Sequence, residues 1–120
     1  MSRDHRKLRI FVLADSLATA IYFATNGFPA AERFGLQIQL RRAAVSVSTN
    51  IVEGCARRST SEYLNFLNIA AGSAAEAQYL VDLSSRLGFL SDVDRQALCT
   101  QYAELAAGLQ ALIRALSLEP

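Results

Sequence analysis

Proline occurs only at positions 29 and 120 of this 120-residue chain, and no stretch alternates apolar with polar residues, so long segments are free to coil and none suits a strand. Apolar residues recur instead at three- and four-residue intervals. A first helix is predicted from about Lys7 to Thr25, with Ile10, Leu13, Ala14, Leu17, Ile21 and Ala24 along one face. Asn26-Gly27-Phe28-Pro29 ends it, through a pair tolerant of left-handed backbone followed by a residue that cannot continue the ladder. The second helix starts between Ala30 and Leu36 and runs to about Ala56 or Arg57. Ser59-Thr60-Ser61-Glu62 is a capping-box pattern that opens a third helix, which Gly88 closes as a left-handed cap with Phe89 as its hydrophobic contact. Ser91-Asp92-Val93-Asp94 opens the fourth, with acids where the helix dipole favours them.

The expected core positions are Leu36, Leu40, Ala43, Ala44, Val47, Ile51 and Gly54 on the second helix. Tyr63, Leu67, Ala70, Ala71, Ala74 and Val81 serve on the third, and Leu98, Tyr102, Leu105, Leu109, Leu112 and Leu116 on the fourth. Four helices of matching length joined by short loops predict an all-α, antiparallel up-down-up-down four-helix bundle, with residues 1–120 forming one domain. At this length a domain buries roughly two-thirds of the surface its unfolded chain exposes.

The second helix carries more apolar surface than its own core needs. Ile38, Val45 and Val52 repeat every seven residues on nearly the opposite side from the core seam, which predicts self-association through that face. A polar strip of Gln39, Arg42, Ser46, Asn50, Glu53 and Arg57 runs between the two stripes.

Chemistry-bearing groups are sparse. A di-iron carboxylate site in a bundle needs Glu-x-x-His pairs, and the only histidine, His5, lies in a segment expected to fray. Cys55 and Cys99 stand apart from each other and from any histidine, and are read as reduced apolar residues, with neither a disulfide nor a zinc knuckle. Without a glycine-rich phosphate loop, a nucleophile elbow or a nucleophile–base pairing, no catalytic residue, metal or cofactor is expected, and the protein is read as not an enzyme. Glu62 and Glu76, in a heptad row with Ile69 and Leu83, are expected to be structural: Glu62 at the helix start and Glu76 paired with Arg41 or Arg42. Asn50 and Glu53 would join them as a polar cluster fixing register. No run of about eighteen apolar residues and no cleavable leader is visible, which predicts a cytoplasmic protein. The formal net charge of +1 is far from that of a protein neutralising many phosphates. Residues 33–58 nevertheless hold Arg33, Arg41, Arg42, Arg57 and Arg58 against Glu53 alone, so an arginine-bearing face of the second helix is the candidate contact for RNA or DNA.

Phe28-Pro29, Glu32-Arg33-Phe34-Gly35-Leu36, Gln39 to Ser46, Asn50-Ile51-Val52-Glu53-Gly54, Glu62 to Leu67 and Ile69 to Glu76 together resemble the four-helix-bundle proteins encoded within intervening sequences of bacterial 23S ribosomal RNA genes, also labelled S23 ribosomal proteins. The resemblance runs from the first helix to about Leu90. It implies an all-α protein assembled as a homopentamer and without known catalytic activity. It also implies kinship with accessory proteins of diversity-generating retroelements, which look like basic pentameric barrels binding nucleic acid and a reverse transcriptase; this chain departs from those in its near-neutral charge. The ribosomal label reflects gene location and places no chain in a ribosome.

Overall fold

A computed structural model describes residues 3–118. The helices are α1 (Arg9–Thr25), α2 (Leu36–Cys55), α3 (Thr60–Arg86) and α4 (Asp92–Ser117), with short 3-10 turns at His5–Lys7 and Ala30–Glu32. No strand occurs among the described residues. All seven core positions predicted on α2 are buried, as are Tyr63, Leu67, Ala70, Ala74 and Val81 on α3, so the 3.6-residue period located the interior correctly. Ala71 and Leu112 are only partly buried, packed against the margin of the core. All four helices contribute to one core cluster, and the molecule is a rod with extents of 49 × 23 × 19 Å.

The predicted caps form where they are local. The Ser59 hydroxyl accepts from the Glu62 backbone N–H (3.1 Å) and donates to Oε1 of the same residue (3.0 Å). Ser91 accepts from the Asp94 N–H at 3.1 Å. Gly88 has φ of 84°, and the Phe89 N–H reaches back to the Ser84 carbonyl at 2.9 Å, which closes α3 as a left-handed cap.

The end of α1 differs from expectation. Gly88 is the only described residue with positive φ, and Asn26 stays right-handed, so the Asn26-Gly27 pair is not a left-handed cap. The helix is closed from α2 instead: Gln37 Nε2 donates to the Thr25 carbonyl at 3.0 Å and Arg41 to the Tyr22 carbonyl at 3.3 Å. Ala30–Glu32 is a separate turn, which fixes the start of α2 at Leu36. At 17 residues α1 is also shorter than the matched lengths predicted.

The segment before α1 is tied down. The Arg3 N–H donates to the Cys55 carbonyl at 3.0 Å, its guanidinium lies 4.2 Å from the centre of the Tyr63 ring, and His5 meets Phe11 edge-on at 4.7 Å. His5 is therefore packed where fraying was expected. Two glycines set close helix approaches. A Cβ on Gly54 would stand 3.0 Å from Tyr63 and Phe66 of α3, and one on Gly108 would stand 2.8 Å from Ile10 of α1.

Candidate functional site

The outer face of α2 combines apolar exposure with a polar seam. Ile38 and Val52 are half-buried, and Val45 between them keeps 38% of its surface exposed. Tyr22 flanks the row from α1 at 45% exposure. Ile69, at 46%, stands on α3 one turn before Ser73, the residue that meets α2. A shallow groove along this face is lined by Tyr22, Ile38, Arg42, Val45, Thr49 and Glu53, among others.

Beside the apolar row, Asn50 Nδ2 donates to the Ser46 carbonyl (2.8 Å) and hydroxyl (3.0 Å), and the Ser46 hydroxyl bonds the Ser73 hydroxyl of α3 at 2.8 Å. This chain of half-buried polar groups fixes α2 against α3 in one register, because a slip along either helix would strand three partners at once. Asn50 bonds within its own helix, to Ser46, and joins none of Glu53, Glu62 and Glu76, with which a polar cluster was expected. Ser73 and Tyr22 carried no distinguishing signal in sequence, since each acquires its role only when a neighbouring helix arrives.

The other expected members do not join this hydrogen-bonded chain, although Glu53 lines the same groove. Glu53 and Glu76 are exposed, and the ion pairs among the described residues are Arg6–Asp4, Arg86–Asp82 and Arg95–Asp92. The expected pairing of Glu76 with Arg41 or Arg42 is therefore not made: Arg41 turns to α1, and Arg42, 100° further round the helix, is exposed. Glu62 serves in the cap of α3, as expected.

The five arginines do not share one face. Arg33 lies exposed in the turn before α2, and Arg57 and Arg58 lie beyond its other end, with Arg57 stacked 4.7 Å from the centre of the Phe66 ring. Arg41 is committed to closing α1. Its Nε donates to Thr25 Oγ1 at 2.8 Å, its terminal nitrogen reaches Asn26 Oδ1 at 3.0 Å, and its plane lies 4.5 Å from the Tyr22 ring centre. Arg41→Ala is expected to cost about 1–2 kcal/mol by stranding these acceptors, with Arg41→Lys recovering little because an ammonium lacks the fork. Urea denaturation would measure both, and an unchanged midpoint for Arg41→Ala would remove this role.

The groups that could do chemistry are poorly poised for it. Burial pushes the Cys55 thiol above its ordinary pKa, and it donates to the Tyr63 hydroxyl over 3.9 Å. Burial likewise raises Cys99 and the hydroxyls of Tyr63 and Tyr102. Among the described residues no three His, Cys, Asp or Glu side chains stand close enough together to hold a metal ion. No described helix is long and apolar enough to cross a membrane.

These features define an all-α protein of four helices around one core, with a partly apolar outer face on its second helix. The chain belongs to the 23S rRNA-intervening sequence protein family, whose pattern it matches over residues 6–111. Its fold is similar to the crystal structure of a protein of unknown function from the S23 ribosomal protein family of Bacteroides thetaiotaomicron. The TM-score is 0.81 at 22% sequence identity, over 88% of this chain and 95% of that one. No curated protein matches the sequence.

Proposed function

We propose that the protein is a non-enzymatic, homo-oligomeric scaffold or adaptor that assembles through the outer face of α2. The observation that carries this reading is the apolar row Ile38, Val45 and Val52, extended by Tyr22 and Ile69, on a face the core does not use. An apolar row outside the core loses free energy in water and regains it against a copy of itself or a neighbouring subunit. The Ser46–Ser73–Asn50 seam beside it holds α2 against α3, which keeps the apolar row in one fixed placement for a second chain to meet.

Each subunit in this reading is one domain, an antiparallel up-down-up-down bundle. Its support is a set of cross-helix contacts: Gly54 late in α2 lies against Tyr63 early in α3, Gln78 in the second half of α3 reaches the Cys99 carbonyl in the first half of α4 at 3.5 Å, and Gly108 in the second half of α4 lies against Ile10 at the start of α1. The two unbridged cysteines suit a reducing, cytoplasmic setting. Light scattering at tens of micromolar protein tests the assembly. The expected mass is a multiple of 13.1 kDa, and five copies is the number the family resemblance implies. A mass of one chain would overturn the proposal.

A further inference from the structure

α1 and α4 touch where Gly108 lies against Ile10, so closely that a Cβ on the glycine would stand 2.8 Å from the isoleucine side chain. Beside that contact the two helices leave a groove of about 690 Å³, within the roughly 300–1,000 Å³ of small-molecule sites. Its apolar wall comes from α1. Ile10 and Leu13 are half-buried against the margin of the core, and Val12 keeps 58% of its surface exposed. α4 lines the groove with Gly108 and Glu104 only, so no apolar side chain from that helix fills the space. The groove shares no residue with the one along α2, and it lies within a single chain. Its polar groups are segregated. Arg9, Val12, Leu13 and Ser16 fall at i, i+3, i+4 and i+7, on one face of α1 about 10 Å long. Lys7 and Arg9 stand at the start of that face, exposed and outside the ion pairs Arg6–Asp4, Arg86–Asp82 and Arg95–Asp92. In the antiparallel bundle Glu104, one turn before Gly108, falls beyond Ile10 on the Ser16 side, away from the cations.

From this arrangement we infer that the groove binds a single-chain fatty acid of medium length, with its carboxylate against Lys7 and Arg9 and its alkyl chain along Ile10, Val12 and Leu13. Arg9 offers a carboxylate two parallel donors, and Lys7 adds a second positive charge. The alkyl chain takes the exposed apolar wall out of water. Glu104 at the far limit repels a second anionic group, so a dicarboxylate of the same length fits less well. A partner helix also fits poorly, because two turns of contact fall far short of the roughly 800 Å² per partner that a stable protein interface buries. A two-chain membrane lipid would leave one chain in water, since only one wall is apolar. The site is independent of the α2 face: a protein that proved to be a single chain would still carry it.

Isothermal titration of the full chain with sodium decanoate at neutral pH, below the concentration at which decanoate self-associates, tests the inference. One decanoate per chain is expected, with a dissociation constant of about 0.1 mM, and decanedioate is expected to bind roughly tenfold more weakly. The Lys7→Gln, Arg9→Gln double variant should bind decanoate about five- to tenfold more weakly, whereas Arg33→Gln stays within about twofold of the parent. Val12→Asp, which sets a carboxylate on the apolar wall, should weaken binding by at least about tenfold. If Val12→Asp loses helicity, the double variant carries the test, because both of its sites are exposed. No binding at millimolar decanoate, equal binding of decanedioate, full binding by the double variant or equal loss from Arg33→Gln would overturn the inference. So would binding to phosphatidylglycerol vesicles without binding to decanoate. Light scattering of the ligand-free Val12→Asp protein is the last arm: an unchanged mass is expected, and a lowered one would show that a neighbouring subunit fills the groove and overturn the inference.

Discussion

Val45→Glu is expected to convert the proposed assembly to single chains while leaving the helical circular dichroism nearly intact. In the isolated subunit Val45 is already partly exposed, and a carboxylate there can reach solvent or Arg42 one turn earlier, so the cost to the fold stays within about 0.5 kcal/mol. In the proposed assembly through α2 the same carboxylate would meet the apolar surface of a neighbour. Burying an unpaired charge costs several kcal/mol, and each subunit contact would carry it, so the dissociation constant should rise by roughly three orders of magnitude. Light scattering across a dilution series measures this directly. A variant that keeps the parent's mass would show that the α2 face is not the contact.

Gly54→Leu is expected to destabilise the subunit by roughly 3 kcal/mol, a large share of the 5–15 kcal/mol typical of a domain. A Cβ alone would stand 3.0 Å from both Tyr63 and Phe66, and a leucine adds three further carbons in that space. Tyr63 cannot swing clear, because Arg3 covers its face and its hydroxyl meets the Cys55 thiol. α2 and α3 must therefore part or tilt, which also strains the Ser46–Ser73 bond two turns away. Gly54→Ala should lose far less, since the helix gains about 1 kcal/mol from replacing glycine. The urea midpoint reports both, and an unchanged midpoint for Gly54→Leu would show that this close approach is not enforced.

What could be read in sequence was what depends on residues a turn or two apart. Ser59, Ser91 and Gly88 announce their helix ends because their partners lie within five residues, and the interior stripe of α2 announces itself through the helical period. Readings that needed a distant partner fared differently. Asn26-Gly27 has the composition of a left-handed cap, but Gln37 and Arg41 already satisfy the carbonyls such a cap would serve. The same engagement takes Arg41 away from Glu76. His5 looked like part of a loose terminus because nothing local holds it, whereas its turn is anchored through Arg3 to Cys55, 52 residues on. The arginines were grouped by adjacency along α2, although a helix of 20 residues spans about 30 Å and separates Arg33 from Arg58. The apolar row of α2 is the part of the candidate face that sequence identified; its flanks, Tyr22 and Ser73, belong to other helices.

The closing of α1 by α2 also bears on how the chain is made. Synthesis runs from the N-terminus, so the Tyr22 and Thr25 carbonyls emerge with only local donors, the Thr25 hydroxyl at 3.3 Å and the Phe28 N–H at 3.1 Å, until Gln37 and Arg41 have been added, 12 to 19 residues later. At 17 residues, with no basic side chain in its last turn, α1 is marginal as an isolated helix. Its final turn is therefore a post-dated structure: the nascent chain completes its first helix only after enough of its second exists to hold it.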